Sequence, residues 1–531
     1  MISSAILALA ASPLAVLASI GSTNTTIDTT SGKVQGVPSE YISSDITVFR
    51  GIPFAASTAG NNRWKAPQDP TKWNGTKIMS TFGPSCPQSG TTDTTSEDCL
   101  SLNIWLPPGT NTNSSLPVYL WIYGGLEAAG ASDLPVYDGA GLANKGVIQI
   151  GANYRKGIFG YLALSELTAE SSYNSSGNYG FLDHIKALEW IRDNIANFGG
   201  DPQHLTIGGQ SAGSAATQQL LYSPLSRGLF SSAIIQSGVH DPYDPTTATV
   251  ASNYVPSLAI AEAGGLSVAQ NISAPTLSQL RNLSMDTLVE AQSNYTSYEG
   301  SSLWAVNLDG YVIAHTYYEG LLDSSLADVP ILTGNVKDEN GVSLSGVSLE
   351  TYQEYVTENF GNLTEQVYAL YPATDNSSAT AAYNTLIRDN TKVTTYLWSK
   401  LWNTHRTSAL YSYFWVHGQP IADAASQGAF HGSEMNYVFD TLGPVYGQDP
   451  GAVANWTTED YQLADKMSTL WANFIKSHSP NAGNLTGWGV SALNATMTYQ
   501  LGQNMTMIQL VDDDKKISLI EEWYAQSTRV Y

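Results

Sequence analysis

The sequence predicts an α/β protein: a large, mostly parallel central sheet, helices on both faces, and helical insertions. Three observations carry this. Short apolar runs of strand length recur along the 531 residues. A helix-period segment follows several of them. Glycine or a turn ends most of the runs, as expected of strands buried on both faces.

The elements follow in order. Val118–Tyr123 (VYLWIY) and Val147–Asn153 (VIQIGAN) read as buried strands. Phe181–Phe198 reads as an amphipathic helix, with Leu182, Ile185, Leu188, Ile191, Ile195 and Phe198 on one face, stopped by Gly199-Gly200-Asp201-Pro202. A strand at His204–Gly208 (HLTIG) leads into a helix at Ser214–Leu221, and Phe230–Gln236, Val329–Gly334 and Tyr411–Val416 read as further strands. Strands alternating with helices give a parallel sheet covered on both sides. The helix-prone stretches 255–300 and 350–405, and the polar loop Gly109–Ser115, read as excursions from that sheet. No internal repeat or long linker divides the chain, so residues 21–531 are expected to form one domain.

Composition limits the function. Charged residues make up 13% of the chain, and the net charge of −23 is strongly acidic. Nucleic acid is not an expected partner, because phosphate binding needs clustered Lys and Arg. Residues 1–20, MISSAILALAASPLAVLASI, form an uncharged apolar run ending in small residues. The run is marginal for a membrane span and lacks a basic flank after it, so it reads as a secretory signal peptide rather than an integral anchor, cut after Ala18 or a few residues later. Thirteen Asn-x-Ser/Thr sequons are spread along the chain, among them Asn24, Asn74, Asn174, Asn282, Asn362, Asn455 and Asn504. They fit an exported, extracellular glycoprotein. In an oxidising compartment Cys86 and Cys99 are expected to form one bridge closing a short loop, worth about 3 kcal/mol on the chain-entropy estimate.

The chemistry begins at Gly209-Gln210-Ser211-Ala212-Gly213. Alone the G-x-S-x-G pattern is weak, since a chain of this composition yields on the order of 0.4 matches by chance. Its context is specific: a strand precedes it and a helix follows, as a nucleophile elbow requires. The tight turn lifts the serine oxygen above the sheet at a helix N-terminus, where the Ala212 N–H can face a developing oxyanion. A serine hydroxyl needs a base. His417 and His431 both follow the Tyr411–Val416 strand, and the residues alone do not choose between them. An acid must hold the imidazole tautomer, and Lys337-Asp338-Glu339 after the Val329–Gly334 strand offers two candidates. The chain order Ser, acid, His is that of an α/β-hydrolase.

Most of the chain resembles the type-B carboxylesterases, which include cholinesterases and large fungal lipases. The resemblance runs through Phe49-Arg50-Gly51-Ile52-Pro53-Phe54-Ala55, Glu97–Asn103, the Gly-Gly stretch after Tyr123, Asn153-Tyr154-Arg155, Phe198–Pro202, the elbow and Gln236-Ser237-Gly238. It implies ester hydrolysis of a small substrate with no metal or cofactor. It also implies Glu339 as the acid, His431 as the base in the segment His431–Glu434, and His417 as a structural residue. Further implications are an Arg50–Glu97 salt bridge and a Cys86–Cys99 disulfide.

Three departures from the family stand out. Gln210 replaces the usual glutamate before the serine. The triple-glycine loop reads Tyr123-Gly124-Gly125-Leu126-Glu127, so the oxyanion donors beside Ala212 are Gly124 and Gly125, or Gly125 and Leu126. The loop between the cysteines is short and without tryptophan, which argues against both a lipase lid and a choline-gripping aromatic. A lid-controlled lipase and a hydrolase-fold adhesion protein are the competing readings, and the complete set Ser211, His431 and Glu339 argues against adhesion.

Overall fold

The computed structural model describes residues 25–90, 94–245, 254–339, 341–343, 346–445, 454–493 and 495–527. The run at residues 1–20 lies outside them. Among the described residues the frame is an eleven-stranded sheet. Its strands in chain order are β1 Val37–Pro38, β2 Thr47–Pro53, β3 Ser101–Leu106, β4 Leu116–Ile122, β5 Ile148–Ala152, β6 Gly200–Gln210, β7 Ser232–Gln236, β8 Ile331–Val336, β9 Leu410–Trp415, β10 Met497–Leu501 and β11 Thr506–Gln509. In space they lie in the order β11-β10-β9-β8-β7-β6-β4-β5-β3-β2-β1. From β5 across to β10 every neighbouring pair is parallel. Both outer margins turn antiparallel.

The six runs read as strands all fall on strands of this sheet, and the two read as helices fall on helices. Strands β5, β7, β8 and β9 are buried along their whole length, which explains why they read as unbroken apolar runs. The predicted helix at Phe181–Phe198 is α1, Tyr179–Asn194, continued by one 3-10 turn and closed by Gly199 at φ 81°. The helix after the elbow is α2, Ala212–Tyr222.

The two excursions have cores of their own. Helices Leu258–Asn271, Leu277–Asn282 and Met285–Asn294 pack Val268, Leu280 and Leu288 against Trp64, Phe159 and Leu164. Helices Leu349–Phe360 and Thr364–Leu370, with Asp514–Gln526, close around Tyr352, Val356, Ile520 and Trp523. The long helix α3, Asn376–His405, joins this second core to the sheet: Leu386 and Val393 face the excursion, while Trp398 and Trp402 lie in the main core. Among the described residues no helix is long and apolar enough to cross a membrane.

Two ion pairs inside the fold matter, and one corrects the sequence reading. Arg155 holds Asp183 of α1 through Nε and Nη2, at 2.8 and 2.7 Å, with both side chains out of contact with solvent. The expected Arg50–Glu97 pair does not form. Glu97 is held by Arg63 instead, through Nε at 2.7 Å and through Nη2, in a buried pair whose guanidinium also reaches the carbonyl of Leu283. Arg50 lies over the Phe82 ring, donates to the Ser80 carbonyl, and has the exposed Glu40 at 3.9 Å as an ion-pair neighbour. Both arginines flank the same strand-and-turn segment, and only packing distinguishes them. The disulfide between Cys86 and Cys99 is present.

Removing one partner of a buried pair strands the other charge. Arg63→Met is therefore expected to destabilise the protein by about 3 kcal/mol or more, and Arg50→Met by about 1 kcal/mol or less. Chemical denaturation of the two variants side by side checks the ranking; equal losses would contradict it.

Candidate active site

The elbow is fixed by close packing. Ser211 stands between β6 and α2 at φ 58° and ψ −125°, a conformation that costs energy in any residue other than glycine. Its two flanking glycines cannot be enlarged. A Cβ on Gly213 would lie 1.9 Å from the Ile122 carbonyl, and one on Gly209 would lie 2.3 Å from the Gly213 backbone. The Ser211 N–H is held by the Gln236 carbonyl at the end of the neighbouring strand β7, at 3.1 Å. The main chain therefore has no room to relax, and the serine side chain is left at the partly open end of β6.

The Gly-Gly loop lies against this turn. A Cβ on Gly124 would meet the Ser211 Cβ at 3.0 Å and the Ala212 nitrogen at 3.5 Å, so Gly124 and the first N–H groups of α2 face the same space. Gly125 takes φ 122°, and the Ala128 and Ala129 N–H groups close back onto its carbonyl. Among the described residues the N–H groups of Gly124, Gly125 and Ala212 donate to no other protein group. Leu126 and Glu127 both adopt positive φ, 56° and 57°. Leu126 is 72% exposed.

Behind the loop, buried Lys156 donates to the Gly130 carbonyl at 2.8 Å and to the Tyr123 hydroxyl at 3.2 Å. Gln88 grips the Gly130 amide and carbonyl from the other side, at 2.7 and 3.0 Å. Burial pulls the Lys156 ammonium down to about 7 and pushes the Glu127 carboxyl up to about 8, so both are biased toward their neutral forms in this dry layer.

The acid and the histidine come from loops beyond β8 and β9, two strands and three strands from β6. Glu339 Oε2 meets His431 Nδ1 at 2.5 Å, and its Oε1 accepts from the Val336 N–H at 2.9 Å. The neighbouring Asp338 has a different task. It exchanges backbone and side-chain hydrogen bonds with Ala429, each 3.0 Å, and is clamped by Arg388 of α3. Asp338 thus stitches the acid loop to the histidine loop, bringing the next residue, Glu339, against His431. Gly428 is required at this seam, because a Cβ there would lie 2.3 Å from Asp338 Oδ2.

His417, the other candidate, is engaged elsewhere. Its Nε2 contacts Asp460 at 2.9 Å, and that carboxylate also takes the Tyr437 hydroxyl at 2.8 Å.

The electrostatics around His431 favour its charged form. Burial alone would pull the imidazole down, but the charge and hydrogen bond of Glu339, with Glu434 behind, outweigh it and leave His431 above its ordinary value. Burial likewise pushes Glu339 up, but the His431 charge and the bonds from His431 and Val336 hold it below the usual carboxylate range. Glu434 is buried and accepts from the Gln236 amide on its Oε1, at 3.1 Å; burial pushes it up to about 7, against the hydrogen bonds of its own backbone N–H and of Gln236.

Two neighbours escaped the sequence reading. Gln210 was noted as a lost charge, yet its amide nitrogen lies 3.0 Å from His431 Nε2. His240, after β7, is buried with Nδ1 unpaired among the described residues. Only the position of Gln210 beside the serine hinted at such a contact; nothing in the pattern marked His240. Among the described residues no group of three metal-ligating side chains occurs.

Comparison with known proteins shows what the chain as a whole is similar to. A model of the carboxylesterase family matches residues 23–519. The chain is similar to fumonisin B1 esterase of Sphingopyxis macrogoltabida, 35% identical over 481 residues, covering 87% of this chain and 83% of the relative. It is similar to para-nitrobenzyl esterase of Bacillus subtilis, 29% identical over 94% of this chain and 99% of the relative. Among solved structures, a PNB esterase superposes with a TM-score of 0.74 at 28% identity, over 94% of this chain and all of that one.

The stitch through Asp338 predicts that Asp338→Ala lowers activity without removing the Glu339–His431 pair's chemistry. kcat is expected to fall about 10-fold or more, because misplacing catalytic groups by a fraction of an ångström is costly. Kinetics on Asp338→Ala and on Arg388→Met, which loosens the same clamp, check this; wild-type kcat in both would contradict it.

Proposed function

The chain belongs to the carboxylesterase family, and from that premise we propose that it is a secreted serine esterase working through an acyl-enzyme on Ser211. Hydrolysis of carboxylic esters is its activity. The observation that carries the serine mechanism is the Glu339–His431 contact of 2.5 Å beside an elbow whose serine is held at φ 58°.

In this reading Ser211 Oγ attacks the ester carbonyl while His431 Nε2 takes its proton. Glu339 steadies the imidazolium and keeps the Nδ1–H tautomer. The N–H groups of Gly124, Gly125 and Ala212 face the oxyanion; such donors are worth about 10²–10³ in rate each. His431 returns the proton to the departing alcohol. It then takes one from water, whose hydroxyl attacks the acyl-serine; as the acyl–oxygen bond breaks, His431 gives that proton to Ser211 Oγ, releasing the acid and restoring the free serine.

Export is supported by where the sequons lie. Every described sequon asparagine is exposed: Asn74, Asn113, Asn174, Asn271, Asn282, Asn294, Asn362, Asn376, Asn455, Asn484 and Asn504. Of the eighteen other described asparagines only Asn61, Asn111, Asn144 and Asn197 are. Chance placement in an Asn-rich chain would not sort the two groups this way, whereas a glycan must be on the surface. We read residues 1–20 as the removed leader and 21–531 as one catalytic domain.

Three outcomes are expected. Ser211→Ala abolishes turnover of p-nitrophenyl esters that wild type hydrolyses across short acyl lengths; undiminished turnover in the variant would remove the mechanism, and a preference confined to long, aggregated esters would point to a lipase. Wild-type kcat/KM rises with pH through a midpoint above the ordinary histidine value of about 6.5, because Glu339 raises His431 and the base works only when neutral; a profile flat down to pH 4 contradicts a histidine base. Protein recovered from the medium of a eukaryotic host begins shortly after Ala18 and loses mass on enzymatic removal of N-glycans; an intact Met1 or an unchanged mass contradicts export.

A further inference from the structure

His431 is contacted at both ring nitrogens. Nδ1 meets the Glu339 carboxylate, and Nε2 meets the side-chain amide nitrogen of Gln210 at 3.0 Å. Gln210 is the last residue of β6, immediately before Ser211, and is fully buried, so its amide cannot turn out to water. Among the described residues the hydrogen-bonding neighbour of Nε2 is this amide and not the serine hydroxyl.

The chemistry fixes what each group must be. A carboxylate only accepts, so Glu339 fixes the proton of His431 on Nδ1. The neutral ring then presents a bare lone pair at Nε2, which takes a donor. A glutamine amide supplies one; an ionised glutamate in the same place cannot.

We infer that Gln210 is a positioning residue for the base: its amide N–H caps Nε2 and holds His431 as a neutral acceptor until the Ser211 proton arrives. This rests on the reading of His431 as the general base. The amide N–H withdraws from the lone pair as the serine proton is transferred, and the new Nε2–H then donates to the leaving alcohol. No atom is gained or lost.

The substitution also balances the charges around the ring. The titratable groups facing His431 are Glu339 from the loop after β8, Glu434 on its own turn, and His240 after β7. Two of the three are carboxyls that favour the imidazolium. A donor on Nε2 opposes them, because a hydrogen bond to the neutral form disfavours protonation.

The test is the pH dependence of kcat/KM on a soluble p-nitrophenyl ester for wild type, Gln210→Met and Gln210→Glu, with thermal melting followed by circular dichroism. Gln210→Met removes the donor, and its midpoint is expected to rise by about half a unit. Gln210→Glu adds a charged acceptor, and its midpoint is expected to rise by about one unit or more. A folded variant whose midpoint is unmoved or lowered overturns the inference. A wild-type profile that does not titrate removes the underlying base reading instead, so the two failures are distinguishable. Met keeps length without polarity and Glu keeps shape, so if melting shows one variant unfolded the other still decides.

Discussion

The interlock of Gly209, Gly213 and the Ile122 carbonyl is the constraint from which the rest of this site follows. Strand β4 and helix α2 approach so closely that no Cβ fits between them. That closeness forces the chain to reverse over a single residue, and the residue at the reversal is Ser211, at φ 58°. The strain is local, a few kcal/mol at most. It is held by close packing of the backbone: the Gln236 carbonyl takes the Ser211 N–H, and Gly124 lies against the turn. The same packing that strains the serine sets the start of α2 against Gly124. The proposed nucleophile and the proposed oxyanion donors thus share one contact, and neither can be repositioned without the other.

That local origin explains what could be read from the sequence and what could not. The elbow was legible because its requirements are contiguous: a strand, two small residues around a serine, a helix. The parallel strands were legible because burial on both faces makes them unbroken apolar runs. Acid and base were not, because Glu339 and His431 stand 92 residues apart and meet only through a seam that the sequence does not advertise. Asp338 and Glu339 are adjacent carboxylates with identical sequence credentials. What separates them is that Arg388, from a helix in the excursion, claims the first. The same holds for His417, which Asp460 claims. In each case the residue that the resemblance leaves aside has an ionic partner of its own. For Arg50 and Arg63 the resemblance pointed to the wrong arginine, since the choice depends on which side chain reaches the buried face of Glu97.

The excursions therefore do more than decorate the sheet. Helix α3 has one end in the excursion core and its tryptophans in the main core, and from that bridge Arg388 reaches the seam that aligns Glu339 with His431. Loosening an excursion would be felt at the site through this side chain.

The carboxyls around His431 show how surroundings divide identical groups. Glu339 is buried but faces a histidine and a backbone donor, so it stays ionised. Glu434 is buried with one neutral amide, and burial lifts it to about 7. Glu127, behind the oxyanion loop, has burial as its dominant influence and rises to about 8. Of these acids Glu339 is the one held below the ordinary carboxylate range, and it is the one in contact with His431. A second firm charge at the end of β6 would favour a protonated imidazole before any substrate arrived, and a protonated base cannot take the serine's proton. An uncharged amide at Gln210 keeps the ring's remaining nitrogen available while still filling the buried space. The departure from the family at this position therefore agrees with the arrangement of acids around it.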